Sequence, residues 1–249
     1  MSNRQEQNHG HGQGWGVGDG YLDSVLNDSF RGEKVDKEKI SALHDYLVEI
    51  DESEEYNVRH SLYTPIVIDG EIFCEGQRRH ENQYRFDYID VKDKTVVDMG
   101  PNNGYSSFLF AERGAKKVLT IERSPFIGKV LQLVSDIKNL PNIEHYIGLY
   151  QDYFTENYNE VFDVVNFTSE QSYDGVLIIL SCLIGEQTYK INAKTWYIEP
   201  TNHPDHKLSK EEIKEWGERE LGKYGDVEFL TFTDYQNRGL FRLNVNTNN

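Results

Sequence analysis

Asp98, Gly100, Gly104 and Glu122 stand out in TVVDMGPNNGYSSFLFAERGAKKVLTIERS, residues 95–124, and their types and spacing describe a cradle for a nucleotide-bearing ligand. Asp98 lies at the end of a β-branched run, and Gly100 and Gly104 supply a turn that lets a ligand approach the backbone closely. Pro101, Asn102, Asn103 and Tyr105 complete the turn, and Glu122 followed by Arg123 closes the next apolar run. A dinucleotide pyrophosphate calls for G-x-G-x-x-G and a helix N-terminus to hold its charge. Asn102 stands where the second of those glycines belongs, Tyr105 where the third belongs, and Asp98 adds a carboxylate that repels phosphate. A ligand carrying an ammonium and a sulfonium is attracted by the same carboxylate.

S-adenosylmethionine (SAM) is such a ligand, and Glu122 at the tip of the second strand is then placed to accept hydrogen bonds from both ribose hydroxyls. The elements that must position these groups read directly from the pattern: a strand through Thr95 to Val97, a helix from Tyr105 to Arg113 ending at Gly114, and a strand from Lys117 to Ile121. With DMGPNNG as the acidic glycine loop after the first strand, the chain resembles the class I SAM-dependent methyltransferases over roughly residues 60–245. Within that class, GQRRHENQYRFDYIDVKDK leading into VVDMGPNNGYSSF is similar to the subgroup holding tRNA wobble-uridine modifying enzymes and glycan or small-molecule O-methyltransferases. The resemblance implies an α/β fold: a three-layer Rossmann-like sheet, mostly parallel with the last strand antiparallel, and SAM as cofactor. It also implies that the segment before the first core strand lies near the methionine end of the cofactor, which makes Gln77 and Arg78 candidates for its carboxylate. Many relatives place an acid just past the third strand for the adenine amine; here Gly148, Leu149, Tyr150 and Gln151 precede Asp152, leaving Gln151, Asp152 or backbone groups for that contact.

A helix around Phe126 to Ile137, a third strand Ile143 to Ile147, a fourth Phe162 to Phe167 and an apolar helix Gly175 to Gly185 continue the alternation. Ligands in such sheets bind beyond the carboxyl ends of the strands. Asn166, Thr168, Ser169 and Glu170 are thereby expected to face the transferred methyl, with helix capping the other role open to Thr168 or Ser169. The fifth strand, Thr195 to Glu199, runs into EPTNHPDH, where His203 with Glu199 and Asn202 beside it is the candidate general base. Ser209 and Glu212 form a capping box for the next helix, and Asp226 to Phe232 with Gly239 to Val245 read as a final antiparallel pair. The expected reaction is methylation of a small-molecule or glycan acceptor, at oxygen. A net charge of −16 and a pI near 4.9 disfavour the alternative of an RNA-modifying enzyme, because phosphate backbones are held by clustered Lys and Arg. Arg78, Arg79, His80 and Arg85 form the one such concentration. The missing adenine acid and the lack of a signature such as N-P-P-Y leave a second alternative, a SAM-binding or partner-binding module without turnover.

The length of 249 residues suits one α/β domain with an N-terminal extension. We expect a flexible glycine-rich tail over 1–20, helices and a hairpin over 21–90, and the SAM-binding domain over 91–249. His9 and His11 in the glycine tract have no third ligand nearby, and no metal is expected. Leu22, Val25 and Leu26, then Ile40, Leu43, Leu47 and Ile50, give two short helices divided near Arg31 to Asp36, and Asp69-Gly70 is a strong hairpin turn between YTPIVI and EIFC. GQRRHENQYRFDYI reads as a helix. Cys74 and Cys182 match neither a metal spacing nor a disulfide framework, and no apolar run is long enough for a bilayer, so a reducing, cytoplasmic setting with no membrane partner is expected.

Overall fold

The computed structural model describes residues 36–52, 62–168, 171–184, 189–202, 207–233 and 236–246. The glycine tract with His9 and His11, the first N-terminal helix, Ser169, Glu170 and His203 lie outside the described residues. A helix α1 (Lys37–Glu52) leads to a hairpin of β1 (Ile66–Ile68) and β2 (Glu71–Cys74), then a 3-10 segment His80–Tyr88. The alternating part follows as β3 (Thr95–Met99), α2 (Tyr105–Glu112), β4 (Lys117–Glu122), α3 (Pro125–Lys138), β5 (Ile143–Ile147), α4 (Tyr150–Glu156) and β6 (Val161–Phe167). It closes with α5 (Tyr173–Leu183), β7 (Asn192–Ile198), α6 (Lys210–Glu220), β8 (Gly225–Thr233) and β9 (Arg238–Val245).

The seven-stranded sheet runs β5-β4-β3-β6-β7-β9-β8, parallel from β5 to β7, with β9 inserted antiparallel between β7 and β8. The reversed last strand of the expected fold is therefore present. Its place between the fifth and sixth strands of the sheet depends on pairings that no local pattern encodes.

Strand alternation divides the interior into two layers. Val96, Val118, Val164 and Tyr197 pack with Phe86, Phe110 and Ala111 on one face, while Val97, Leu119, Val165 and Trp196 pack with Phe154, Val176, Leu180 and Trp216 on the other. Val96 pairs with Val118 and Val164, and Val97 with Leu119 and Val165, so each layer is a row of aligned strand residues. The N-terminal part adds a third cluster, in which Ile40, Leu43 and Leu47 of α1 and Ile66, Ile68 and Phe73 of the hairpin pack with Ile127, Val130 and Val134 of α3.

The helix ends follow their capping residues. Ser124 accepts from the Ile127 N–H at 3.3 Å with Pro125 in the first turn of α3. Ser209 and Glu212 form the reciprocal capping box of α6. Asp69 and Gly70 both take positive φ, 49° and 82°, as the hairpin turn requires. Two elements differ from the sequence pattern. GQRRHENQYRFDYI forms a 3-10 segment instead of an α-helix: Gln83, Arg85 and Phe86 are buried, and the Gln83 side chain donates to the Arg78 carbonyl at 2.9 Å, in competition with the helical ladder. Between β5 and β6 the chain folds α4, whose bounds the sequence pattern left unassigned.

Candidate functional site

The carboxyl ends of β3, β4 and β6 and the start of α4 surround a cavity of about 510 Å³. Its floor is the glycine turn. Gly100 has φ 67° and donates its N–H to the Ile121 carbonyl at 2.9 Å; a Cβ placed there meets nothing within 4 Å, so the bare backbone faces open space. Gly104, at φ 91°, is needed for a different reason. A Cβ there would stand 2.3 Å from Leu131 and 2.5 Å from Phe108, which closes the turn against α3.

Glu122, the last residue of β4, is the one carboxylate among the described lining residues. Its Oε1 accepts the Ser124 N–H at 2.9 Å and its Oε2 the Asn102 N–H at 3.2 Å. Burial pushes its carboxyl above the usual carboxylate range, opposed by those two backbone N–H groups. Asn102 adopts φ 57°, a left-handed conformation that asparagine tolerates, and so keeps its N–H on Glu122. Arg123, Gly148, Leu149, Tyr150 and Gln151 form the side of the cavity away from the glycine turn, and Met99, Phe167, Thr168, Gln171 and Ile179 line the β6 and α5 side. The Gln151 Oε1 is buried and has no hydrogen-bond partner, whereas Asp152 is exposed and outside the lining. Of the two side chains expected near adenine, Gln151 is the one aimed inward.

Several expected site residues are placed elsewhere. Asp98 is 1 % exposed and does not line the cavity. Its Oδ2 accepts from the Ser106 and Ser107 hydroxyls at 2.6 Å each, and its Oδ1 from the Asn166 amide at 2.7 Å. Burial raises its carboxyl despite those three donors. The carboxylate thus ties the first turn of α2 to β3 and β6, and the expectation that it faces a cationic ligand is corrected. Asn166, buried beside it on β6, spends its amide N–H on Asp98. Pro101 is buried beneath the turn. Asn103 and Tyr105 face a second crevice of about 270 Å³ between the hairpin and α2, where Tyr105 packs edge-on to His80.

Glu199 and Asn202, expected beside a catalytic histidine, and Gln77 and Arg78, expected at the methionine end, undergo the same correction. Glu199 is 0 % exposed, and accepts from Arg78 at 2.8 and 3.0 Å, from Arg85, and from the Thr233 hydroxyl at 2.9 Å. A carboxylate has about four lone-pair directions, so Glu199 offers nothing further to a substrate proton. Arg78 is fully buried on that carboxylate, while Gln77 meets its neighbours through its N–H to the Leu62 carbonyl at 3.0 Å. Neither lines the cavity. Asn202 spans its loop, with its amide on the Leu208 and Gln236 carbonyls and its Oδ1 accepting the Leu208 N–H at 2.9 Å.

The sequence reading missed Tyr63, which precedes the hairpin and closes one side of the cavity. No local signal marks it. Its N–H donates to the Asn102 side chain at 2.8 Å, a contact made only once residues distant in sequence are folded together.

No protein-family profile matches the chain. Two curated proteins match short segments. One, from Methanocaldococcus jannaschii and provisionally named a protein N5-glutamine methyltransferase, is 30% identical over 79 residues, 32% of this chain and 38% of its own length. The other, uncharacterized protein 158B of Sulfolobus islandicus rod-shaped virus 1, is 32% identical over 62 residues, 24% of this chain and 39% of its own. The chain thus spans under two fifths of the length of the curated relatives it matches. Among solved structures, the N-terminal domain of EvdMO1, determined with S-adenosylhomocysteine (SAH) and D-fucose, aligns at TM-score 0.52 and 10% identity over 82% of this chain and 97% of that domain. SMU.776, a provisionally named methyltransferase complexed with SAH, aligns at TM-score 0.51 and 13% identity over 70% of this chain and 52% of its own. At these identities the likeness is one of fold, a Rossmann-like, mostly parallel α/β sheet.

Proposed function

We propose that this chain is a SAM-dependent methyltransferase that acts on a small-molecule or glycan acceptor, with transfer to oxygen. The observation that carries the reading is the pairing of Glu122 with an open glycine edge: a carboxylate at the tip of β4 beside backbone at Gly100 that no side chain covers. The residues present fit SAM. Glu122 has lone pairs left for the ribose hydroxyls after accepting two backbone N–H groups, and the unpartnered Gln151 Oε1 suits the adenine amine. The uncovered Gly100 edge admits the methionine portion close to the main chain.

When bound, SAM supplies a methyl group on a sulfonium, open to in-line attack by a nucleophile. The chain's own contribution is alignment and exclusion of water, which accounts for a large share of the rate in such displacements. Thr168, just past β6, and Gln171, ahead of α5, form the polar wall on the acceptor side, and Phe167 and Ile179 the apolar one. His203, five residues past the end of β7 in sequence, is the proposed general base for a hydroxyl acceptor. The net charge of −16 supports an acceptor that is not a polyanion.

Incubating the protein with cell extract and isotopically methyl-labelled SAM, followed by mass spectrometry, tests the reading. Label in a small molecule or glycan supports it. Label confined to RNA or protein overturns the acceptor class, and no label in any fraction alongside SAH binding overturns the turnover.

A further inference from the structure

We propose that Asn103 is a positioning residue for the cofactor: it clamps the short strap Leu62–Thr64 onto the glycine turn, and the strap in turn sets both Tyr63 and the Asn102–Glu122 pair. The inference rests on the reading of the cavity as a SAM site and adds a residue that does not touch the ligand.

Asn103 is 1 % exposed and Thr64 4 %. Its Oδ1 accepts the Thr64 hydroxyl at 2.5 Å, while its Nδ2 donates to the Thr64 carbonyl at 2.8 Å. Both polar groups of one side chain are thereby matched to the hydroxyl and the carbonyl of one residue, which fixes the orientation of the amide. One residue along, the Asn102 Oδ1 accepts the Tyr63 N–H at 2.8 Å while the Asn102 N–H reaches Glu122. Two successive asparagines therefore hold two successive strap residues, and one of them also orients the carboxylate at the end of β4.

The strap is backed on its other side. Gln77 and Arg78 donate their N–H groups to the Leu62 and Tyr63 carbonyls at 3.0 and 2.8 Å. Gly76 lets that backing segment come close, since a Cβ there would stand 2.4 Å from the Thr64 backbone. Arg78 then anchors the segment on Glu199 beyond β7. Tyr63 thus sits in a wall held from both sides, and on the glycine-turn side the Asn102 and Asn103 side chains hold it. If the clamp opens, Tyr63 loses its register against the cavity and the Asn102 backbone is released from its left-handed conformation, so Glu122 loses one of its two orienting N–H groups.

The test uses the full chain and SAH. In wild type, calorimetry gives saturable binding, and hydrogen exchange shows the Tyr63, Gln77 and Arg78 amides slowing when SAH is added. Asn103→Ala is expected to weaken SAH about tenfold or more, the scale of a lost buried pair of hydrogen bonds, and to abolish the slowing at Tyr63 while the β3 and β4 amides remain protected. Thr64→Val reproduces the loss if Asn103→Ala does not fold, and Thr64→Ser, which keeps the hydroxyl, restores affinity to within about threefold of wild type. Unchanged SAH affinity in folded Asn103→Ala or Thr64→Val, with only a lower melting temperature, overturns the proposal and leaves the cofactor reading intact. Failure of wild type to bind SAH overturns both.

Discussion

Glu122 and Glu199 are the same residue type at the same kind of place, the carboxyl end of a parallel strand, and they do opposite things. Glu122, ending β4, lines the cavity and is held by two backbone N–H groups, which leaves it lone pairs to offer. Glu199, just past β7, is enclosed by Arg78, Arg85 and Thr233 and does not line the cavity. Backbone donors orient a carboxylate and leave room for a ligand; guanidinium forks consume it. Position in an α/β sheet therefore nominates a carboxylate for ligand binding, and its partners decide whether it is free to serve.

The comparison breaks most visibly at Glu199. Glu199→Ala leaves two buried guanidiniums without their carboxylate and is expected to cost about 3–5 kcal/mol of stability, read as a large fall in the denaturant midpoint. A midpoint close to wild type would make Glu199 dispensable to the fold. The same change at Glu122 acts on the ligand instead. Glu122→Gln is expected to lower SAH affinity about tenfold to hundredfold, for the loss of charge-assisted hydrogen bonds worth about 1.5–3 kcal/mol, with little change in ligand-free stability.

A pH series sharpens the contrast. Burial raises the folded-state value of Glu122 above that of the unfolded chain, so the ligand-free fold is favoured by its protonation at low pH and loses that contribution as pH rises through the raised value. SAH affinity runs the other way, because the ionised form is the better acceptor: it is expected to climb with pH across that same window and then level off. Calorimetry on Glu122→Gln should show the climb abolished, and a climb that persists assigns it to another group.

Asp98 belongs with Glu199 in this comparison. Asp98→Ala leaves the Ser106, Ser107 and Asn166 donors without their acceptor, and a loss of about 1–3 kcal/mol in stability is expected. A stable variant with abolished SAH binding would return Asp98 to the ligand site. The smallest effect is expected at Gln151, where replacement by Ala removes one neutral hydrogen bond to adenine, about 0.5–1.5 kcal/mol, measured as a few-fold rise in the SAH dissociation constant.

These contrasts mark how far the sequence is legible. Gly100, Gly104 and the strand before them declare themselves locally, since a positive φ and a β-branched run are properties of neighbouring residues. Glu122 is legible for the same reason, at the tip of the next strand. Asp98 is legible as an acid at a strand end, but its assignment turns on Ser106, Ser107 and Asn166, and nothing in DMGPNNG says that their donors close over it. Arg78 and Glu199 are far apart in sequence and meet at 2.8 Å, so a basic segment that reads as a helix becomes a buried fork, with Arg78 ahead of the 3-10 segment and Arg85 on it. Asn202 reads as a neighbour of a catalytic histidine, and the fold uses it to span a loop. The hairpin is legible from Asp69-Gly70 alone, but the backing that Gln77 and Arg78, just after it, give the Tyr63 strap is a tertiary fact. Local conformation is written in adjacent residues; the partner of a buried polar group is not.

The central claim is that the cavity beside Glu122 binds SAM. Calorimetric titration of the 249-residue chain with SAH at neutral pH tests it most directly, with Glu122→Gln run in parallel. Saturable one-to-one binding that weakens about tenfold or more in the variant is the predicted result; no binding by wild type, or equal binding by both, would contradict it.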